Sequence, residues 1–152
     1  MTRILMTGAG GLIGRALREE LRGVYEHLRL VDRGEQAAAG PGESVVTLDI
    51  RDGEALDAAM AGIDCVVNLA GVPGSADWPS TLANNIDGTW HVFEAARRQG
   101  VRRIVYASSN HAVGFHRRDR LLDAASAPRP DSFYGAAKVF GEALGRLYAD
   151  KY

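Results

Sequence analysis

The feature that most restricts what this chain can fold into is a cluster of glycines in one fixed place. Thr7-Gly8-Ala9-Gly10-Gly11-Leu12-Ile13-Gly14 follows a short apolar run, Arg3 to Thr7, and leads into residues 12–21, where apolar side chains recur at helical spacing. Leu12, Ala16, Leu17 and Leu21 fall on one side and are expected to be the buried stripe. Apolar run, glycine turn and periodic segment together read as strand, tight turn and helix.

The same alternation continues along the chain. Strands are expected at 27–32, 45–48, 65–69 and 103–107, with a Gly/Ala/Pro loop at 34–42. Cys65-Val66-Val67-Asn68-Leu69 is nearly unbroken in apolar character, as in a strand covered on both faces of a parallel sheet. Helices are expected over 54–61 with Asp52 as the cap, from about Ser80 to Gln99, and from Ser132 onward, after a polar, proline-bearing loop that ends at Pro130. Strands alternating with helices predict an α/β fold over residues 1–152: a Rossmann-type doubly wound parallel sheet, strand order 3-2-1-4-5, helices on both faces and right-handed crossovers.

Composition excludes several functions. A length of 152 residues can bury about 70% of the surface of its unfolded form, enough for one domain. With 18 Lys plus Arg against 19 Asp plus Glu, the net charge is −1, so no general attraction to nucleic acid or an anionic membrane is expected. The apolar stretches fall well short of the ~20 residues of a membrane span, so a soluble protein is expected. Cys65 is the only cysteine, which excludes an internal disulfide and a cysteine metal cage. The Met-Thr-Arg start lacks a signal-peptide layout, and a reducing, cytoplasmic setting is the expectation. His27 and His91 lack ligand-spaced partners, so no metal site is expected.

Each glycine of the first turn has a physical role in binding a dinucleotide. Gly8 permits the tight turn, Gly11 lets the backbone approach a pyrophosphate, and Gly14 lets the helix pack closely while the helix N-terminus faces the phosphates. Asp32, ending the second strand, is placed to accept hydrogen bonds from a ribose, and its charge favours NAD over NADP; Arg33 beside it tempers that preference. A second constellation is Tyr134-Gly135-Ala136-Ala137-Lys138. Its i, i+4 spacing puts a phenol and an ammonium on one helix face. A phenol is a poor base at neutral pH, but a nearby ammonium favours its phenolate, which can act as a general base. Only Lys138 and Lys151 are lysines among the 18 basic residues, so this ammonium stands out. Ser108-Ser109-Asn110 ends the fifth strand, on the edge where doubly wound folds bind ligands.

Together Thr7-Gly8-x-x-Gly11-x-x-Gly14, Asp32, Asp49-Ile50, Asn68-Leu69-Ala70-Gly71, Asn85, Ser108-Ser109 and Tyr134-x-x-x-Lys138 resemble the extended short-chain dehydrogenase/reductase family, also called the NAD-dependent epimerase/dehydratase family. The resemblance spans the whole chain. Within it, Ala107-Ser108-Ser109-Asn110-His111-Ala112-Val113-Gly114, Arg129-Pro130-Asp131 before Tyr134-Gly135, and Phe140-Gly141-Glu142 are most similar to the uronate dehydrogenase branch, which oxidises galacturonate and glucuronate to aldarolactones with NAD.

The resemblance implies an NAD-dependent oxidoreductase in which Tyr134 takes the proton from the anomeric hydroxyl as hydride leaves C1. It implies that Lys138 promotes the phenolate and holds the nicotinamide ribose, and that Ser109 bonds the reacting oxygen. Asn110 and His111 would contact ring hydroxyls or the uronate, and Ser75 would stand in for a substrate-binding serine that the branch places soon after Gly71. Gly8, Gly11, Leu12, Ile13, Gly14, Asp32, Arg33, Asp49, Ile50, Leu69, Ala70, Gly71, Asn85, Tyr134 and Lys138 would bind the cofactor, with Asn85 supporting the strand and a water near the lysine. Family members continue past the Tyr134 helix, so the resemblance implies that this chain is the N-terminal portion, without the substrate-binding end. Phe133, Phe140, Leu144, Leu147 and Tyr148 exceed one core stripe, and with the family's dimer helices they imply a homo-oligomer. A nucleotide-sugar epimerase or dehydratase, and a non-catalytic NAD-binding module, remain alternatives. Arg97, Arg98, Arg102 and Arg103 are expected to be a solvated face.

Overall fold

Five short strands form one parallel sheet in the order β3-β2-β1-β4-β5, in a computed structural model that describes residues 2–74 and 76–152. The strands are β1 (Arg3–Thr7), β2 (His27–Asp32), β3 (Glu43–Thr47), β4 (Cys65–Asn68) and β5 (Arg103–Tyr106). Register fixes where their ends lie. Thr7 stands opposite Val31 on one side and Asn68 on the other, and Asn68 stands opposite Tyr106. The C-terminal ends of four strands are therefore level, and the loops that follow them leave from one edge.

Alternate residues of β1 point to opposite faces, and each face has its own core. Leu5, Val31 and Val66 pack with Leu56 and Met60 of α2 (Gly53–Met60) and Val92 of α4 (Gly88–Arg98). Ile4, Met6, Leu28, Leu30 and Cys65 pack on the other face, with Leu17 and Leu21 of α1 (Leu12–Leu21) against them. Asp52 caps α2 by accepting from the Ala55 N–H, as its position ahead of the periodic segment predicts. Among the described residues, no helix is long and apolar enough to cross a membrane.

Four expectations need correcting. The buried side of α1 runs through Gly14, Leu17, Arg18 and Leu21, whereas Leu12 is 81% exposed and Ala16 lies at the surface. A charged residue occupies the stripe because Arg18 is matched: its guanidinium lies 2.6 Å from Glu43 and also donates to the Ala37 and Ala38 carbonyls. Glu43, drawn into that contact, also begins β3 ahead of the apolar residues that announced the strand.

The long helix expected over 80–99 is three segments: α3 (Trp78–Thr81), a π-helical segment (Leu82–Asp87) and α4. A wider turn leaves no trace in apolar periodicity, and such turns gather at functional sites. Finally, a 3-10 turn, Asn110–Val113, follows β5 where only loop was expected. The last helix, α5 (Phe133–Lys151), starts where predicted, capped by Ser132. Of its surplus apolar positions Leu144 is buried, Tyr148 packs on Phe93 at 5.5 Å and bonds Glu94, and Phe133 meets Trp78 at 5.3 Å; Phe133 and Leu147 stay largely exposed.

Candidate functional site

The level strand ends form a groove at the point where the strand order reverses, between β1 and β4. This is the place where open α/β sheets bind ligands. Gly8 turns the chain there with φ +70°, and a side chain on it would press against the Leu69 and Ala70 backbone at 2.8 Å. Thr7 bonds Asn68 through its hydroxyl at 2.7 Å, and the Ala70 N–H donates back to it at 3.3 Å, so the ends of β1 and β4 are tied together. Helix α1 then begins at Leu12, with Gly11 at the N-cap position, no side-chain cap and no acidic residue in its first turn. Its unpaired N–H groups make an anion-binding end. Leu12 and Ile13 lie in that turn with exposed side chains, and Gly14 is buried.

Gly8, Gly11, Asp32, Arg33, Asp49, Ile50, Leu69, Ala70 and Gly71 line the groove, all of them expected there. Leu48, Val72 and Asn84 line it too and were not foreseen. The Asp32 carboxylate accepts from the Gly10 and Gly34 N–H groups, both at 2.9 Å, which fixes its orientation and leaves lone pairs open. Asp49 is paired with Arg51 at 2.6 Å, and that hydrogen bond holds its carboxyl down at about 2. Arg33 donates to Asn84 at 3.0 Å, linking the end of β2 to the π-helical segment. Asn84 had no signal in the sequence, since only the π turn brings it to the groove. Asn85 is buried and turns elsewhere: its amide accepts from the Val72 N–H at 2.7 Å and donates to the Val72 carbonyl at 2.8 Å. It thereby clamps the loop after β4.

One strand further along the same edge stands the start of α5. Lys138, 4% exposed, donates to the Ala107 carbonyl at 2.7 Å, and Ala107 in turn donates to the Asn68 carbonyl at the end of β4. Burial pushes the Lys138 ammonium below its ordinary value. Its Nζ lies 5.4 Å from the Tyr134 ring centre and 4.9 Å from that of Tyr106, whose phenol burial pushes up to about 12. The His111 ring stands edge-on to Tyr134, with centres 5.7 Å apart. Tyr134, Lys138 and His111 are thus brought together.

Ser109 caps the 3-10 turn, its hydroxyl accepting from the His111 N–H at 3.2 Å and reaching the Asn110 amide oxygen at 3.3 Å. Ser108 donates to Glu142. Both serines border a wider groove between the outer side of β5 and α5. Ser75 lies outside the described residues. Among those described, no group of three or more His, Cys, Asp or Glu side chains could hold a metal ion.

The chain is similar to known proteins along nearly its whole length. The uronate dehydrogenase of Pseudomonas putida is 46% identical over 99% of this chain and 56% of its own length. The crystal structure of uronate dehydrogenase from Agrobacterium tumefaciens superposes with a TM-score of 0.96 at 43% identity, over 100% of this chain and 57% of that one. A mutant of that enzyme complexed with NAD matches equally well, at 42% identity and TM-score 0.96, over 100% of this chain and 57% of that one. The chain spans about half the length of the curated relatives it matches. The model of the NAD dependent epimerase/dehydratase family matches residues 4–152, and the chain belongs to that family.

Proposed function

We propose that this chain forms the cofactor-binding and proton-transfer part of an NAD-dependent oxidoreductase that oxidises a uronate at C1 to an aldarolactone. The observation that carries the reading is the shared edge. An uncapped helix N-terminus, an oriented Asp32 and a Tyr134, Lys138 and His111 cluster all open from the level ends of neighbouring strands. NAD, when bound, supplies the hydride acceptor.

The residues present fit that group. The first turn of α1 with Gly8 and Gly11 takes the pyrophosphate. Asp32 accepts from the adenosine ribose and repels a 2′-phosphate, while Asp49 and Ile50 border the adenine. Leu69, Ala70 and Gly71, held by the Asn85 clamp on Val72, line the path toward the nicotinamide side. Lys138 donates to the nicotinamide ribose and, as a cation beside the phenol, favours the phenolate of Tyr134. Tyr134 then takes the proton of the anomeric hydroxyl. Ser109, Asn110, His111 and Ser75 bind the sugar; for Ser109 this requires its O–H to turn from the Asn110 oxygen to the sugar, while the hydroxyl oxygen keeps accepting from the His111 N–H. The exposed Phe133 and Leu147 on α5 support a homo-oligomer, and the lone buried Cys65 supports a reducing, cytoplasmic setting.

The test is NADH formation from NAD with galacturonate or glucuronate. Tyr134→Phe is expected to lower the rate about a thousandfold, the scale of a lost general base. Undiminished turnover in that variant would overturn the mechanism, and preference for a UDP-sugar over a free uronate would replace the substrate.

A further inference from the structure

His111 and Asp131 lie on opposite sides of the loop that joins the 3-10 turn to α5, and they meet. Nδ1 of His111 is 2.8 Å from Oδ1 and 3.0 Å from Oδ2 of Asp131. The backbone holds the two ends of the loop together: Phe115 N–H donates to the Arg129 carbonyl at 2.9 Å, Arg129 N–H to Ala112 at 3.0 Å and Asp131 N–H to His111 at 3.3 Å. The carboxylate is fixed on further sides. Ser132 donates to Oδ1 at 3.0 Å while accepting the Gly135 N–H as the cap of α5, and Gly114 leaves the space, since a Cβ there would collide with the Asp131 carboxylate. The cap of the helix bearing Tyr134 and the orientation of His111 therefore share one residue.

An ionised carboxylate can only accept, so the hydrogen of this contact belongs to Nδ1. The hydrogen bond from His111 holds the Asp131 carboxyl below its ordinary value, which keeps it ionised at neutral pH. Nε2 has no partner among the described residues, and the His111 side chain is 44% exposed. In the neutral ring, Nε2 is then an open acceptor beside Tyr134.

We propose that Asp131 is a positioning residue, which locks His111 in the tautomer that offers Nε2 as an acceptor to a hydroxyl of the sugar. The lock stands on the geometry alone; the sugar as the partner of Nε2 rests on the function proposed above.

Long-range proton–nitrogen NMR of the 15N-labelled chain, at a pH where the ring is neutral, reads the tautomer directly. His111 is expected with Nδ1 protonated and Nε2 bare; the reverse pattern overturns the lock. Asp131→Ala is expected to move His111 to the Nε2–H form that free imidazole side chains prefer, with His27, His91 and His116 unchanged. Should that variant fail to fold, Asp131→Asn serves, with a mixture of both tautomers expected, because its amide can either accept or donate. A tautomer ratio unchanged from the parent in a folded variant overturns the lock.

Galacturonate added with NAD is expected to shift Nε2 in the parent and to bind about tenfold more weakly to Asp131→Ala, the scale of one net hydrogen bond. If Nε2 does not respond although galacturonate binds, the sugar contact of His111 falls while the Asp131 lock and the proposed function stand; if galacturonate does not bind the parent at all, the substrate reading falls and the lock still stands.

Discussion

Gly11 and Gly14 belong to one turn yet answer to different constraints. A Cβ on Gly14 would lie 2.7 Å from both Cα and O of Ala9, backbone atoms that have nowhere to go. One on Gly11 would meet only the Gly8 carbonyl, at 3.2 Å, from a backbone already extended at φ −71°. Gly14→Ala is therefore expected to destabilise the fold by about 3 kcal/mol in urea unfolding. Gly11→Ala is expected to leave unfolding nearly unchanged but to weaken NAD at least about tenfold in a calorimetric titration, because its methyl group stands in the groove. Equal effects of the two on stability would contradict this division. The spacing of these glycines is legible in the sequence because each excludes a side chain for a local reason. The partner of Asn85 is not legible: its clamp on Val72 depends on a π turn that periodicity does not register.

At the scale of elements, α1 and β3 are joined by a charge pair rather than by apolar contact alone. The side chains of Arg18 and Glu43 are 9% and 1% exposed, and Arg22 and the Gly40 N–H complete the surroundings of the carboxylate. The hydrogen bond from Arg18 holds Glu43 down at about 2, against an ordinary 4.5. A carboxyl lowered on folding contributes stability that is present above the unfolded value and lost as pH falls through the folded one. Arg18→Leu should thus cost about 3 kcal/mol at pH 7, because it strands a buried charge. The gap to the parent should narrow as pH falls from about 4.5 toward about 2, the range over which the folded parent loses the contribution of the ionised Glu43. Urea unfolding of both proteins at neutral and acid pH checks this, and a gap that widened in acid would be the wrong sign. Most elements were legible from alternation and caps, including α2, β4 and the start of α5. The stripe on α1 was misread because Arg18 counts as polar until Glu43, distant in sequence, is seen beside it.

Across the whole molecule, the candidate site depends on register. Because Thr7, Val31, Asn68 and Tyr106 are level, Gly8, Asp32, Leu69 and Ala107 leave the sheet along one edge. Lys138, which grips Ala107, therefore sits one strand away from the groove that Asp32 and Gly11 line. Residues far apart in the chain were legible as one site because a doubly wound sheet gathers its strand ends. The contacts of His111 with Asp131, and the turn of Ser109 toward its own cap, depended on loop geometry that composition does not encode.

The proposed function requires that this edge bind NAD and discriminate by Asp32. Titrating NAD and then NADP into the 152-residue chain by calorimetry tests it most directly. Saturable NAD binding is expected, with NADP binding at least about tenfold weaker, because the carboxylate repels the 2′-phosphate. A folded chain that takes up no NAD, or that prefers NADP, would contradict it.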